Sequence, residues 1–277
     1  SPYTIKGYRA DLPPFVAWFE KTNGEKFSPN TVTPIDLREY RQHLIIQKKY
    51  AANTVNRHLA SLSAYFAWLL AQGKIERNPS SRIKNVKQST PTPRWLIKKE
   101  QFALSRAMEK DLQLARARYP KRWMGRQRDF SLVSLMQHTG LRLSEVANLE
   151  LVDLTLSERK GSLLVRNGKG NKQRTVPLNV DARSALSAWL EIRPEMFENN
   201  FVFVALESNS QGPLSSRTIQ RIVQRYGEDA QLPDLTPHIL RHTFAKNLLN
   251  SGVTLEKVAS LLGHSSLDTT RIYVTPS

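Results

Sequence analysis

Leu235-Thr236-Pro237-His238-Ile239-Leu240-Arg241-His242 is the stretch on which the reading of this chain turns. A cap residue followed by proline at the first helical position starts a helix at Pro237. His238 then falls in the first turn, where unpaired amides and the helix dipole favour an anion. Arg241 comes three residues later, on the same face. A histidine and an arginine converging on a positive helix end make a phosphate site. A satisfied core histidine beside a surface arginine is the competing reading. His242 either orients these neighbours or is a buried structural histidine.

Three further stretches have the same character. Thr139-Gly140-Leu141-Arg142-Leu143-Ser144-Glu145 places Arg142 just after a glycine helix stop, with Glu145 one turn beyond it. A guanidinium at a helix start, oriented by a carboxylate, suits bidentate phosphate binding; an ordinary cap with an i,i+3 ion pair explains the same letters. Asn167-Gly168-Lys169-Gly170-Asn171-Lys172 reads as a glycine-rich hairpin tip. Lys169 there can bind a phosphate or give its proton to a departing alkoxide, or it is simply a basic turn. In Leu261-Leu262-Gly263-His264-Ser265-Ser266-Leu267-Asp268-Thr269-Thr270-Arg271-Ile272-Tyr273, Gly263 stops one helix and Ser265 with Asp268 opens the next. His264 is thereby fixed at a corner, and Tyr273, a nucleophile or a packing aromatic, lies about two turns along.

Around these motifs the sequence predicts a mainly α protein with a small antiparallel β-sheet, an α+β arrangement. Helices are expected at about 98–116, 126–139, 143–149, 181–193, 215–229, 237–251 and 254–262. Short strands are expected at Leu151–Leu156, Ser162–Arg166 and Gln173–Pro177. Residues 1–88 read as all helical. There, Tyr3, Ile5, Tyr8 and Leu12 give an apolar stripe, Pro13-Pro14 should kink or interrupt the first helix, and Thr33-Pro34-Ile35-Asp36 opens a second helix running to about Lys49. A third helix, about Ala52 to Ala71, should bury Leu59, Leu62, Tyr65, Phe66 and Leu69 before Gly73 ends it. Residues 89–96, broken by Pro91 and Pro93, read as a linker, and residues 97–277 as a second domain.

The length of 277 residues suits two modest domains. No run approaches the roughly 20 apolar residues of a membrane span. The chain opens on Ser1, so its true start is expected to be trimmed. The absence of cysteine excludes disulfides, thiolate metal sites and a cysteine nucleophile, and fits an intracellular protein. With 41 Lys+Arg against 24 Asp+Glu the net charge is +17, a field that attracts polyanions. Residues 1–90 carry 14 basic and 6 acidic side chains, so both parts share the excess and are expected to face the same polyanion.

Taken in order, Arg142, Lys169, His238-x-x-Arg241, His264 after Leu-Gly, and Tyr273 form a set that resembles the tyrosine recombinase (phage integrase-like) family, especially compact Xer-type or transposon-borne members. The likeness runs through most of the second domain. Residues 1–88 match the family's helical core-binding (SAM-like) domain in size and character. The resemblance implies a catalytic domain in which Arg142 and Arg241 clamp the non-bridging oxygens of a DNA phosphate and His264 adds a hydrogen bond. Lys169 would protonate the departing 5′ oxygen, and His238 would assist proton movement at the nucleophile. Tyr273 would attack and become joined to the 3′ phosphate, with basic side chains serving in place of a metal and no cofactor or ATP. Glu145 and His242 are read as support residues.

The resemblance further implies two domains clamped around double-stranded DNA bearing a specific recombination site, and four identical protomers on two duplexes, in the cytoplasm at the nucleoid. Candidate DNA contacts are Lys6, Arg9, Arg41, Lys48, Lys49, Arg57 and Lys84 in the first domain, and Lys172, Arg174, Arg217 and Arg221 in the second. One departure stands out: family members usually continue past the tyrosine with a tail that docks on a neighbour, and here Val274-Thr275-Pro276-Ser277 follow. The rival readings are a strand-passing relaxer of the type IB topoisomerase kind, a DNA-binding protein that keeps the fold without catalysis, and an RNA phosphate-binding module.

Overall fold

The computed structural model describes residues 2–87, 93–119, 122–166, 173–195, 200–206, 212–264 and 266–274, the side chains of residues 2–4 and 6 excepted. The chain forms two compact units, Ser1–Pro91 and Thr92–Ser277.

The first unit packs α1 (Pro2–Asn23), α2 (Pro34–Ile46) and α3 (Ala52–Ala71) around Phe15, Phe19, Leu37, Tyr40, Leu59, Leu62 and Phe66. Thr33 caps α2 reciprocally: its hydroxyl accepts from the Asp36 amide while Asp36 accepts from the Thr33 amide at 2.7 Å. Four expectations need correction. Pro13-Pro14 does not interrupt α1. Proline's fixed φ is helical, and the two missing donors would have bonded the carbonyls of Arg9 and Ala10, which are exposed and can use water. Nor does the early stripe turn inward. Ile5 and Tyr8 are 54% and 37% exposed, and burial begins with Leu12, Phe15 and Phe19. α2 also stops at Ile46, short of Lys49, and Tyr65 is only partly buried.

The second unit contains α4 (Lys98–Arg118), α5 (Trp123–Thr139), α6 (Leu143–Ala147), β1 (Leu154–Leu156), β2 (Gly161–Val165) and β3 (Arg174–Pro177). Beyond the strands come α7 (Val180–Leu190), α8 (Ser216–Asp229), α9 (Pro237–Asn250), α10 (Leu255–Leu262) and the single turn α11 (Asp268–Arg271). The sheet is the antiparallel meander β1-β2-β3, with Leu163 opposite Val176 and Val165 opposite Arg174. This is the mainly α architecture with a small antiparallel sheet that the periodicity predicts. The expected strand over 151–156 begins instead as a 3-10 turn, Leu151–Asp153, because Asp153 turns back to accept from the Glu150 amide. α5 is the central post. It packs against α4, α7, α8 and α9, and Leu132, Val133, Leu135 and Met136 are all buried. A smaller apolar cluster of Ala245, Val258, Leu262 and Tyr273 joins α9, α10 and the segment after α11.

Candidate active site

The C-terminal end of α10 organises the site. A helix ends with carbonyls that lack intrahelical partners and with the negative pole of its dipole. Gly263 stops α10 with φ +66, and three successive carbonyls each receive one guanidinium. Arg174 Nε donates to Leu261 O at 2.7 Å, Arg241 Nη2 to Leu262 O at 2.6 Å and Arg142 Nη2 to Gly263 O at 2.8 Å. Arg241 Nη1 also donates to Gly140 O at 2.6 Å, which turns outward because Gly140 ends α5 at φ +61. The two Leu-Gly and Thr-Gly stops therefore do more than end helices: they aim carbonyls at arginines.

A single carboxylate threads this cluster. Glu145 accepts from Arg142 Nη1 at 2.8 Å and from the Arg142 amide at 2.8 Å, and takes both Arg174 Nη groups at 2.9 and 2.8 Å. Burial would raise its pKa, but the hydrogen bonds from Arg174 and the Arg142 amide, with the charges behind them, outweigh that and draw it down to about 2. Three guanidiniums thus surround one anion, and the excess positive charge is largely sheltered from water. Burial, with Arg142 and Arg174 nearby, lowers even Arg241 to about 10. Such a cluster has a strong electrostatic reason to take a further anion. The Arg142 side chain is 29% exposed, so it is the arginine with an open approach.

His264 and His242 are held uncharged at neutral pH, by burial and by the same positive charge. Burial first, then Arg241 and its neighbours, hold His264 at about 4, and its Nδ1 lies 2.8 Å from Thr270 Oγ1. Burial, His238 and Arg241 hold His242 at about 4. His238 is exposed at the start of α9, where Thr236 caps through the Ile239 amide, and its ring lies 6.4 Å from that of His242.

Tyr273 closes the set. Its hydroxyl lies 2.5 Å from His242 Nδ1, its carbonyl accepts from Lys246 Nζ at 2.9 Å, and its ring is 2% exposed in the α9–α10 cluster. Burial raises its pKa, and the charge of Arg241 opposes that. The phenol oxygen is therefore inside the site's polar network but is covered. Ser265 lies outside the described residues, and the cap expected from it comes from Ser266, whose hydroxyl accepts from the Asp268 amide at 3.1 Å.

Arg142, Glu145 and Arg241 thus meet at the end of α10, His264 follows that end in sequence, His242 is paired with Tyr273, and the His238 ring lies 6.4 Å from that of His242. Lys169 and Lys172 lie outside the described residues, as does the side chain of Lys6. Arg9, Lys48, Lys49, Lys84, Arg217 and Arg221 are exposed. Arg41 donates to Lys84 O at 2.9 Å, and Arg57, although half exposed, is paired with buried Asp11 at 2.5 Å. Arg174 corrects its expected role as a DNA contact: at 9% exposure, with Nε and both Nη groups bonded inside the protein, it does not reach out to a phosphate. Thr270 and Lys246 are network members that sequence reading passes over. Lys246 stands one turn after His242 on α9, and that spacing was the available signal.

Comparison with known proteins shows the family to which the chain belongs. Residues 111–277 match the phage integrase family, and residues 1–74 match the N-terminal SAM-like domain of phage integrases. The chain is 34% identical over 282 residues to tyrosine recombinase XerC of Thermodesulfovibrio yellowstonii, covering 99% of this chain and 85% of that one. It is 36% identical over 278 residues to XerC of Oceanobacillus iheyensis, with the same coverage. Among solved structures, the post-cleavage complex of the XerH site-specific recombinase with a palindromic difH substrate matches with a TM-score of 0.78. The identity there is 26%, over 98% of this chain and 75% of that one.

Proposed function

The chain belongs to the phage integrase family, as a tyrosine recombinase of the Xer type, and we propose that its guanidinium cluster and Tyr273 carry out the strand exchange of such an enzyme. It is a site-specific recombinase, which breaks and rejoins DNA strands. A strand-passing relaxer and a binding protein without catalysis are not favoured beside relatives that are recombinases over 99% of its length.

The observation that carries the assignment of residues is the set of arginines hung from three consecutive carbonyls around one carboxylate, with a histidine-paired phenol that feels the charge of Arg241. A phosphodiester resists attack because it is anionic and its leaving alkoxide is poor. Arg142 and Arg241 bind the non-bridging oxygens and balance the charge of the five-coordinate state, while His264 adds a hydrogen bond. The Tyr273 oxygen attacks phosphorus, the bond to the 5′ oxygen breaks, and Lys169 gives that oxygen its proton. His238 assists removal of the phenol proton, and His242 supports the phenol. The product is a 3′-phosphotyrosine that keeps the energy of the original ester, so a second 5′ hydroxyl reverses the step without ATP.

Tyr273 must leave its pocket to react. Burial of an aromatic side chain is worth about 1.5–3 kcal/mol, and contacts with DNA and a neighbouring protomer offset this. Residues 1–88 act as the core-binding domain, 89–96 as the linker and 97–277 as the catalytic domain. The substrate is double-stranded DNA with a specific site, bound by a homotetramer at the nucleoid in the cytoplasm.

Selection of bound duplexes from a random pool identifies the site, and a nicked duplex carrying it traps the intermediate. The expected result is a covalent adduct that forms in chelator and disappears with Tyr273→Phe. An adduct that survives this substitution, or cleavage strictly dependent on magnesium, overturns the assignment.

A further inference from the structure

We propose that Arg174 is a positioning residue: through Glu145 it sets the phosphate-binding pose of Arg142 and ties that pose to the β2–β3 hairpin. The inference rests on the assignment of Arg142 as a phosphate ligand. Arg174 is the first residue of β3, paired across the sheet with Val165. Its guanidinium makes three directed bonds in one plane, two to the separate oxygens of Glu145 and one from Nε to Leu261 O. The same two Glu145 oxygens take Arg142 Nη1 and the Arg142 amide. Arg142 is thereby joined to the sheet by one carboxylate, and to the end of α10 by its own bond to Gly263.

Two features make this more than an incidental ion pair. Glu145 is 6% exposed and Arg174 9%, so water does not replace either partner. Gly263, moreover, is matched to the guanidinium. A Cβ there would come within 2.8 Å of Arg174 Nη1 and 3.1 Å of Cζ, so the corner preceding His264 is shaped around Arg174.

The chemistry follows from charge sharing. With Arg174 present, Glu145 divides its negative charge between two guanidiniums, and Arg142 keeps enough positive charge and freedom to meet a phosphate. Without Arg174 the buried carboxylate has Arg142 as its remaining cation in this pair of bonds. It would draw Arg142 inward and neutralise it. Lysine does not substitute, because a point charge cannot make the bidentate pair and the third bond together. Lys169 lies in sequence between β2 and β3, so the same tether relates the strand that follows the leaving-group lysine to the arginine that holds the phosphate.

The test is single-turnover cleavage of the nicked duplex, read as a rate constant and an amplitude, beside DNA affinity and thermal melting. Arg174→Ala is expected to lower the rate constant about 100-fold, the scale of losing one oriented donor to a developing charge. Amplitude and DNA affinity should stay close to wild type. Arg174→Lys should be nearly as slow, and Gly263→Ala, which displaces the guanidinium without removing it, should share the signature. Arg174→Ala combined with Glu145→Gln should be no slower than the slower single variant. A purely structural role would lower the amplitude and melting temperature and leave the rate constant unchanged. That outcome, or wild-type rates in both Arg174→Lys and Gly263→Ala, overturns the proposal. If wild type itself gave no adduct, the assignment of Arg142 and Tyr273 would fail instead.

Discussion

His242 and Tyr273 show how one pair of side chains links catalysis to pH. The Tyr273 hydroxyl lies 2.5 Å from His242 Nδ1, and with the imidazole held neutral at about 4 that nitrogen can accept a hydrogen bond from the phenol. Protonation would turn that acceptor into a donor to the phenol oxygen and place a new positive charge beside Arg241. An unfolded histidine titrates near 6.5. His242 and His264 therefore contribute full stability above about pH 6.5 and lose it as pH falls towards 4. At pH 5 each costs about 2 kcal/mol relative to neutral pH. Melting temperature should fall between pH 7 and pH 5, and His242→Gln should remove part of this dependence, the rest staying with His264, His58 and His138. An unchanged pH slope in that variant would show that the imidazole is not held neutral. Side chains such as His238, Arg241 and Arg142 were legible in the sequence because each stands beside a local signal, a cap, a proline or a glycine stop. Arg174 was not, since its partners Glu145 and Leu261 are distant in the chain, and its letters alone read as one more basic residue near a hairpin.

Helix ends, more than helix faces, build this site. Gly140 and Gly263 are left-handed stops whose own carbonyls accept from Arg241 and Arg142. Gly140 is also packed: a Cβ would lie 2.4 Å from Phe244 Cδ1 and 3.0 Å from Leu262 Cδ2. Gly252 has a similar positive φ, with nothing within 4 Å of its would-be Cβ. Gly252→Ala should therefore cost only the left-handed strain, about 1–2 kcal/mol. Gly140→Ala should add the cost of overpacking, for a total of about 2–5 kcal/mol, with loss of cleavage as the Arg241 anchor shifts. Urea unfolding of the two variants compares them, and equal losses would mean that the cluster around Phe244 yields freely. Stops of this kind were readable from glycine placement. The prolines of α1 misled because local rules ask only whether a donor is missing, not whether the orphaned carbonyl faces water. The strand over 151–156 misled because Asp153, polar at its middle, closes a turn on Glu150.

Charge acts over longer distances than either caps or pairs. The net +17 is spread through both units, so association with a polyanion should release counterions from many contacts. A recombinase touching roughly 6–10 phosphates should lose about 10³–10⁵ in affinity between 50 and 200 mM salt. The basic residues do not all share in this. Arg221 is exposed on α8, while Arg174 is spent on Glu145 and Leu261. If Arg221 meets a phosphate, Arg221→Ala should reduce the slope of log affinity against log salt by about 1, with little change in the cleavage rate constant of bound complexes. Arg174→Ala should do the reverse, leaving the salt slope alone and slowing cleavage. Fluorescence-anisotropy titrations over a salt series, paired with single-turnover cleavage, separate the two. Equal changes of slope in both variants would mean that burial does not withdraw an arginine from the field that attracts DNA, and the division between gripping and positioning cations would have to be abandoned.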